Sequence, residues 1–252
     1  LGQRGVTIPP PAALTPGPSL PLATPPEGYL SCVDGHGDQL IWLVKPRSGS
    51  LLHLFAVIND PHGLREVDLN VVTRKHLKGI RAELAAKHDL QMVEADWRYC
   101  DFLIHRAFQW ARSRNAPMKG DYKATRDRLL REPPPADMAS PILSALDPEA
   151  IKRDEQWLAR SDNLLDEPEF RTWFPDEESV RPYLEELNEI KDSPLVLSEA
   201  QKKERFQACV DRAVVEFFDR EQRQSYARRL QLVAYFFRAT GRDDQARQAL
   251  SV

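Results

Sequence analysis

Between Tyr29 and Val72, three clusters of turn-forming residues cut the chain into four runs of strand character. The clusters run from Asp34 to Asp38, from Pro46 to Ser50 and from Asn59 to Gly63. Glycine reaches positive φ without a steric cost, and proline and aspartate favour turn geometry, so the chain reverses at each cluster. Short connections between strand runs join antiparallel neighbours, which makes this stretch a β-meander. In the second run, Leu40, Trp42 and Val44 alternate with Gln39, Ile41, Leu43 and Lys45. In the third, Leu52, Leu54, Ala56 and Ile58 alternate with Leu51, His53, Phe55 and Val57. Both faces of these two strands are largely apolar, so the sheet needs cover on both sides. The fourth run, Leu64 to Val72, alternates apolar and polar residues and is more edge-like.

A meander also dictates which loops meet. The first and third turns lie at the same end of the sheet, within roughly 10 Å if neighbouring strands are about 4.8 Å apart. They carry Asp34, His36, Asp38, Asp60 and His62. These are ligand types that suit Zn²⁺ or Mn²⁺. Tight turns also select Asp, Asn and Gly for purely conformational reasons, so turn chemistry is the competing reading.

Periodicity changes after Val72. Thr73 is a good N-cap, and Leu77, Ile80 and Leu84 form an apolar helical stripe. Leu90 to Asp96 predicts a short extended piece. Cys100, Leu103, Ile104, Ala107, Phe108 and Ala111 then fall on one helical face, which is expected to pack on the sheet. Arg98, Asp101, His105, Gln109 and Arg112 fall on the other. Asp101 and His105, four residues apart, read as a surface ion pair. Pro133 to Pro135 ends a helix beginning near Asp121, and only helices are expected from there on. Phe170, Trp173 and Phe174 are expected to anchor a core, and Glu177 to Ile190 reads as a helix. Ser198 to Gln201 is a capping box. It opens a helix expected to bury Phe206, Cys209, Val210, Ala213, Val214 and Phe217. Asp219 to Arg229 is a mixed-charge helix start that suits solvent or a partner. Gly241 ends that helix ahead of a last one near Asp244 to Leu250.

The expected fold class is therefore α+β: an antiparallel β-meander with packed helices, followed by an all-helical antiparallel bundle or short solenoid. Three parts are expected: a proline-rich arm or linker at 1–27, which holds eight of the twenty prolines, a meander module at 28–114 and a helical module at 121–252. Pro18 to Pro21 offers a PxxP element in the arm.

Charge narrows the function classes. The net charge of −3 argues against a nucleic-acid footprint over the whole molecule. Residues 1–120 hold 14 Lys and Arg against 11 Asp and Glu, and residues 121–252 hold 21 against 27. All six histidines lie between His36 and His105, so histidine chemistry would belong to the first half. Cys32, Cys100 and Cys209 are odd in number and widely spaced, which fits reduced thiols in a cytoplasmic protein. No apolar run long enough for a membrane helix occurs, no signal peptide opens the chain, and no membrane association is expected. Cofactor loops and hydrolase signatures are absent, so no cofactor is expected. The expectation is a non-enzymatic protein-interaction or scaffold protein that binds another protein through its helical module. One alternative is a nucleic-acid-associated protein using the basic helix 74–87, with Arg74, Lys78 and Arg81 on one face as phosphate ligands. The other is a metal-dependent hydrolase using the turns 34–38 and 59–63.

Overall fold

A computed structural model of the chain describes residues 24–174, 177–192 and 198–252. Most of the proline-rich arm, with Pro18 to Pro21, lies outside the described residues. The meander consists of β1 (Glu27–Ser31), β2 (Asp38–Arg47), β3 (Ser50–Asn59) and β4 (Gly63–Val72). Helix α1 (Arg74–His88) and strand β5 (Met92–Ala95) follow, then α2 (Trp97–Ser113). All five strands form one sheet in the order β4-β3-β2-β1-β5, every pairing antiparallel. The extended piece expected after Leu90 is β5, which pairs with β1 so that Val93 faces Leu30.

The helical part begins with α3 (Tyr122–Leu129), α4 (Pro141–Ala145), α5 (Pro148–Arg153) and α6 (Glu155–Ala159). Two 3₁₀ turns, Ser161–Asp166 and Pro168–Phe170, lead to α7 (Glu177–Asp192), α8 (Glu199–Phe217), α9 (Arg220–Ala239) and α10 (Asp243–Ser251). The fold is α+β, with the C-terminal helices packed on one another. Local signals set many boundaries. Thr73, Asp96, Asp147, Ser198 and Asp219 cap α1, α2, α5, α8 and α9 with their side-chain oxygens. Gly241 turns the chain between α9 and α10 with φ of 79°.

The two sheet faces have different covers. Leu30, Ile41, Leu43, Leu54 and Ala56 join residues of α2, α9 and α10 in one continuous core. From α9 come Val233, Phe236 and Phe237, each almost fully buried. Tyr29, Leu40, Trp42 and Val44 point to the opposite face and pack under Leu77, Ile80 and Leu84 of α1. The second cover that the two apolar faces require comes from α1. The topology explains this. Strands β4 and β5 lie at opposite edges, so the connection between them must cross the sheet, and α1 is that crossing. The free edge of β4 is bridged at Glu66 by Lys119, whose N–H donates to the Arg65 carbonyl and whose carbonyl accepts from Val67 N–H, both at 2.9 Å.

Two polar residues sit differently from expectation. Asp101 is not a surface partner of His105. It is buried and takes a bidentate grip from Arg126 of α3, at 2.8 and 2.7 Å, which ties α3 to α2. His105 instead shares a 3.1 Å hydrogen bond with the Tyr122 hydroxyl. Phe174 is exposed, so of the three aromatics only Phe170 and Trp173 join the core, with ring centroids 4.7 Å apart.

His53 is buried between Val44 and Asn70 on the α1 side of the sheet. It meets Trp42 edge-on at 4.7 Å, and its Nε2 has no hydrogen-bond partner among the described residues. Burial lowers its pKa to about 4, opposed by the carboxylate of Asp68. The folded chain therefore keeps His53 neutral while the unfolded chain protonates it near 6.5. Stability from this site is complete above about pH 6.5 and falls as the pH drops toward 4. Urea unfolding at pH 7 and pH 4.5 is expected to differ by about 2–3 kcal/mol through this residue alone. His53→Phe should shrink the pH-dependent loss by that amount; an unchanged loss would contradict the assignment.

Candidate functional site

The first and third turns meet more closely than two strand spacings allow. Each flanks the β2–β3 pair, and Asp38 is the register partner of Asn59. Asp60 N–H donates to the Gly37 carbonyl at 3.2 Å. The Asn59 amide donates to the His36 carbonyl at 3.1 Å and to Asp38 Oδ1 at 2.9 Å. Within the first turn, Asp34 Oδ1 accepts from the N–H groups of His36 and Asp38 at 2.9 and 2.8 Å. Gly37 is required here: its φ is +85°, and a side chain would run into the Asp60 carboxylate.

The chemistry of this junction is set by a residue from far along the chain. Arg229 of α9 grips Asp60 with Nε at 2.7 Å and Nη2 at 2.9 Å, and its Nη1 donates to the Gly35 carbonyl. Ser225 Oγ donates to Asp60 Oδ2 at 2.6 Å. Both oxygens of Asp60 are thus committed to protein donors. His36 and His62 are exposed on the outside of their turns. Among the described residues, Asp34, His36, Asp38, Asp60 and His62 do not form a group of three or more side chains that could hold a metal ion. The turns converge, as the meander requires, but on a guanidinium rather than a cation site. The sequence placed Arg229 in a mixed-charge run suited to solvent or a partner. Its buried role had one usable signal, its position three residues before the apolar stripe of Leu232 to Phe237.

The basic face of α1 is also committed. Arg74 donates to both oxygens of Glu27 at 2.6 and 2.7 Å, which holds that carboxyl below the usual carboxylate range. Arg81 donates to the Met92 carbonyl at 3.0 Å and lies 4.8 Å over the Tyr29 ring. Lys78 borders the same hollow, which Glu94 and Asp96 also line. Three cations facing three carboxylates leave little net attraction for a phosphate.

A third feature belongs to α7 and α8. These helices pack mainly against each other. Tyr183 meets Phe217 at 5.4 Å and its hydroxyl donates to Glu216, while Arg212 pairs with Glu186. Of the six residues expected to be buried on α8, only Cys209 is. Leu184 is 51% exposed, Val214 47% and Phe206 50%. Among the described residues, Leu184 and Val214, with Val180, Leu187 and Val210, line an open seam of about 200 Å³ with an apolar wall. No helix among the described residues is long and apolar enough to cross a membrane. Compared with protein-family models, curated proteins and solved structures, the chain shows no match.

Removing one partner of the Arg229–Asp60 pair strands a largely buried charge. Asp60→Ala is expected to cost about 2–4 kcal/mol in urea unfolding. Zn²⁺ or Mn²⁺ should leave the melting temperature of the unaltered protein where it is. A metal-induced rise that Asp60→Ala abolishes would reverse the assignment of this junction.

Proposed function

We propose that the chain is a non-enzymatic protein-binding module whose α7–α8 seam receives an amphipathic helix of another protein. The observation that carries this reading is the open seam itself. An amphipathic helix pair buries its apolar stripes fully only when a third element closes over them. A helix laid in the groove would present apolar residues at spacings of three and four to Leu184, Leu187, Val210 and Val214. Charge selects the kind of helix. Along its length α7 carries Glu177, Glu178, Glu185, Glu186 and Glu189 against Arg181 and Lys191, while α8 carries as many basic as acidic residues, so the pair is acidic. A partner helix with lysine or arginine flanking its apolar stripe complements that face.

The hydrolase and nucleic-acid readings have weaker support. Asp60 is saturated by Arg229 and Ser225, and Arg74 and Arg81 are engaged by Glu27 and the Met92 carbonyl.

The test uses a designed peptide with leucines on one helical face and lysines flanking them. Titrated with the protein, it should gain helical circular dichroism and bind at one to one. Leu184→Glu with Val214→Glu should weaken binding at least tenfold, because each places a charge against an apolar stripe. Lys203→Glu, away from the seam, should leave it intact. A peptide that binds the double variant as tightly as the unaltered protein would contradict the proposal.

A further inference from the structure

We propose that a second, independent site lies where α2 and α9 cross the turn end of the sheet, and that it binds a small aromatic acid bearing a hydrogen-bond donor. The cavity there measures about 240 Å³. That exceeds the roughly 150 Å³ that holds a benzene ring and falls short of the 300 Å³ at which drug-sized pockets begin, so it suits one ring with a short side chain. Most of its wall is apolar, with Leu103 of α2 facing Leu232 of α9. Of the polar groups in the wall, Asn59, Asp60 and Arg229 are committed to bonds within the turn junction, which leaves two kinds for a ligand.

The first is an acceptor. Gln39 forms part of the wall and is only 2% exposed. Its Nε2 donates to the Ser31 carbonyl at 2.9 Å, which fixes the orientation of the amide. Its Oε1 then has no hydrogen-bond partner among the described residues. A buried acceptor without a donor is costly. The oxygen itself has almost no accessible surface, so an O–H or N–H on a bound ring reaches it only when the Gln39 side chain turns toward the cavity.

The second kind is cationic. Arg106 of α2 and Arg228 of α9 border the cavity from opposite helices. Unlike Arg229, which Asp60 neutralises, neither stands in an ion pair among the described residues. Arg106 lies 5.7 Å over the Phe102 ring, and Arg228 donates to the Gln224 carbonyl at 3.2 Å. No carboxylate of the wall is free to receive a ligand cation, since Asp60 is saturated. Trp110 adds a fixed aromatic plane at the edge: its indole N–H donates to the Pro61 carbonyl at 3.1 Å, and Arg114 lies 3.4 Å from its ring centre. A ring that carries both a hydrogen-bond donor and a carboxylate matches this set of groups.

The full chain is to be titrated with 4-hydroxyphenylacetate, phenylacetate and tyramine, read by calorimetry and by the side-chain amide resonances of Gln39. The first is expected to bind saturably at one to one and to move the Gln39 resonances. Phenylacetate, which lacks the hydroxyl, should bind about tenfold more weakly and leave those resonances in place. Tyramine, with an ammonium in place of the carboxylate, should not bind. Arg106→Ala and Arg228→Ala each alter an exposed side chain, and each should weaken 4-hydroxyphenylacetate about tenfold. Absence of saturable binding at millimolar concentration would overturn the proposal. So would equal affinity for all three compounds, or an affinity that both arginine variants leave unchanged. Because Leu184 and Val214 lie outside this cavity, the seam double variant should bind 4-hydroxyphenylacetate normally, which separates this result from the outcome at the helix seam.

Discussion

The grip of Arg229 on Asp60 joins three parts of the molecule that are far apart in sequence. Asp60 belongs to the β3–β4 turn, the Gly35 carbonyl to the β1–β2 turn, and Arg229 to the first half of α9. Arg229 is 9% exposed at its side chain and Asp60 31%, so both have given up much of their hydration. Such a pair contributes more to specificity of arrangement than to net stability, because attraction has to offset desolvation. Here it fixes where α9 crosses the sheet end. Val233, Phe236 and Phe237, one and two turns further on, then enter the same core as Ile41 and Leu54. The chain buries the rest of its main core around that crossing.

The same constraint explains the difference between the sheet faces. One face is covered by α2, α9 and α10, anchored from several directions. Among the described residues the other is covered mainly by α1, of which only Leu77 is fully buried. That single helix leaves His53 and Trp42 with unpartnered ring nitrogens beneath it. The α7–α8 pair, outside the shared core, leaves its apolar seam open. Stable packing is thus concentrated between the sheet and α9, and the surfaces available for recognition lie beyond it.

Much of this arrangement was legible in the chain. Turn chemistry and strand alternation gave the meander, its faces and the meeting of the first and third turns, because both follow from period and register alone. Caps at Thr73 and Ser198 marked helix starts for equally local reasons. What was not legible depends on contacts between distant residues. Arg229 looks like any arginine of a mixed-charge helix until Asp60 is placed opposite it. Asp101 seems matched to His105 at helical spacing, yet Arg126, 25 positions later, takes both its oxygens. The apolar stripe of α8 reads as buried because periodicity tells which residues share a face, not whether anything covers that face. Gln39 gave no signal at all: one polar residue at the start of an apolar strand is ordinary, and only its orphaned oxygen beside a cavity distinguishes it.

Native-state hydrogen exchange tests most directly whether the sheet and α9 are one cooperative unit built on the Asp60 clamp. The amides of Ile41 and Leu54 in the sheet and of Val233 and Phe236 in α9 should open with the same free energy and the same dependence on denaturant. Those of α7 and α8 should open at a lower one. If the α9 amides exchange through an opening well below that of the sheet, the two are separate units and the account is wrong.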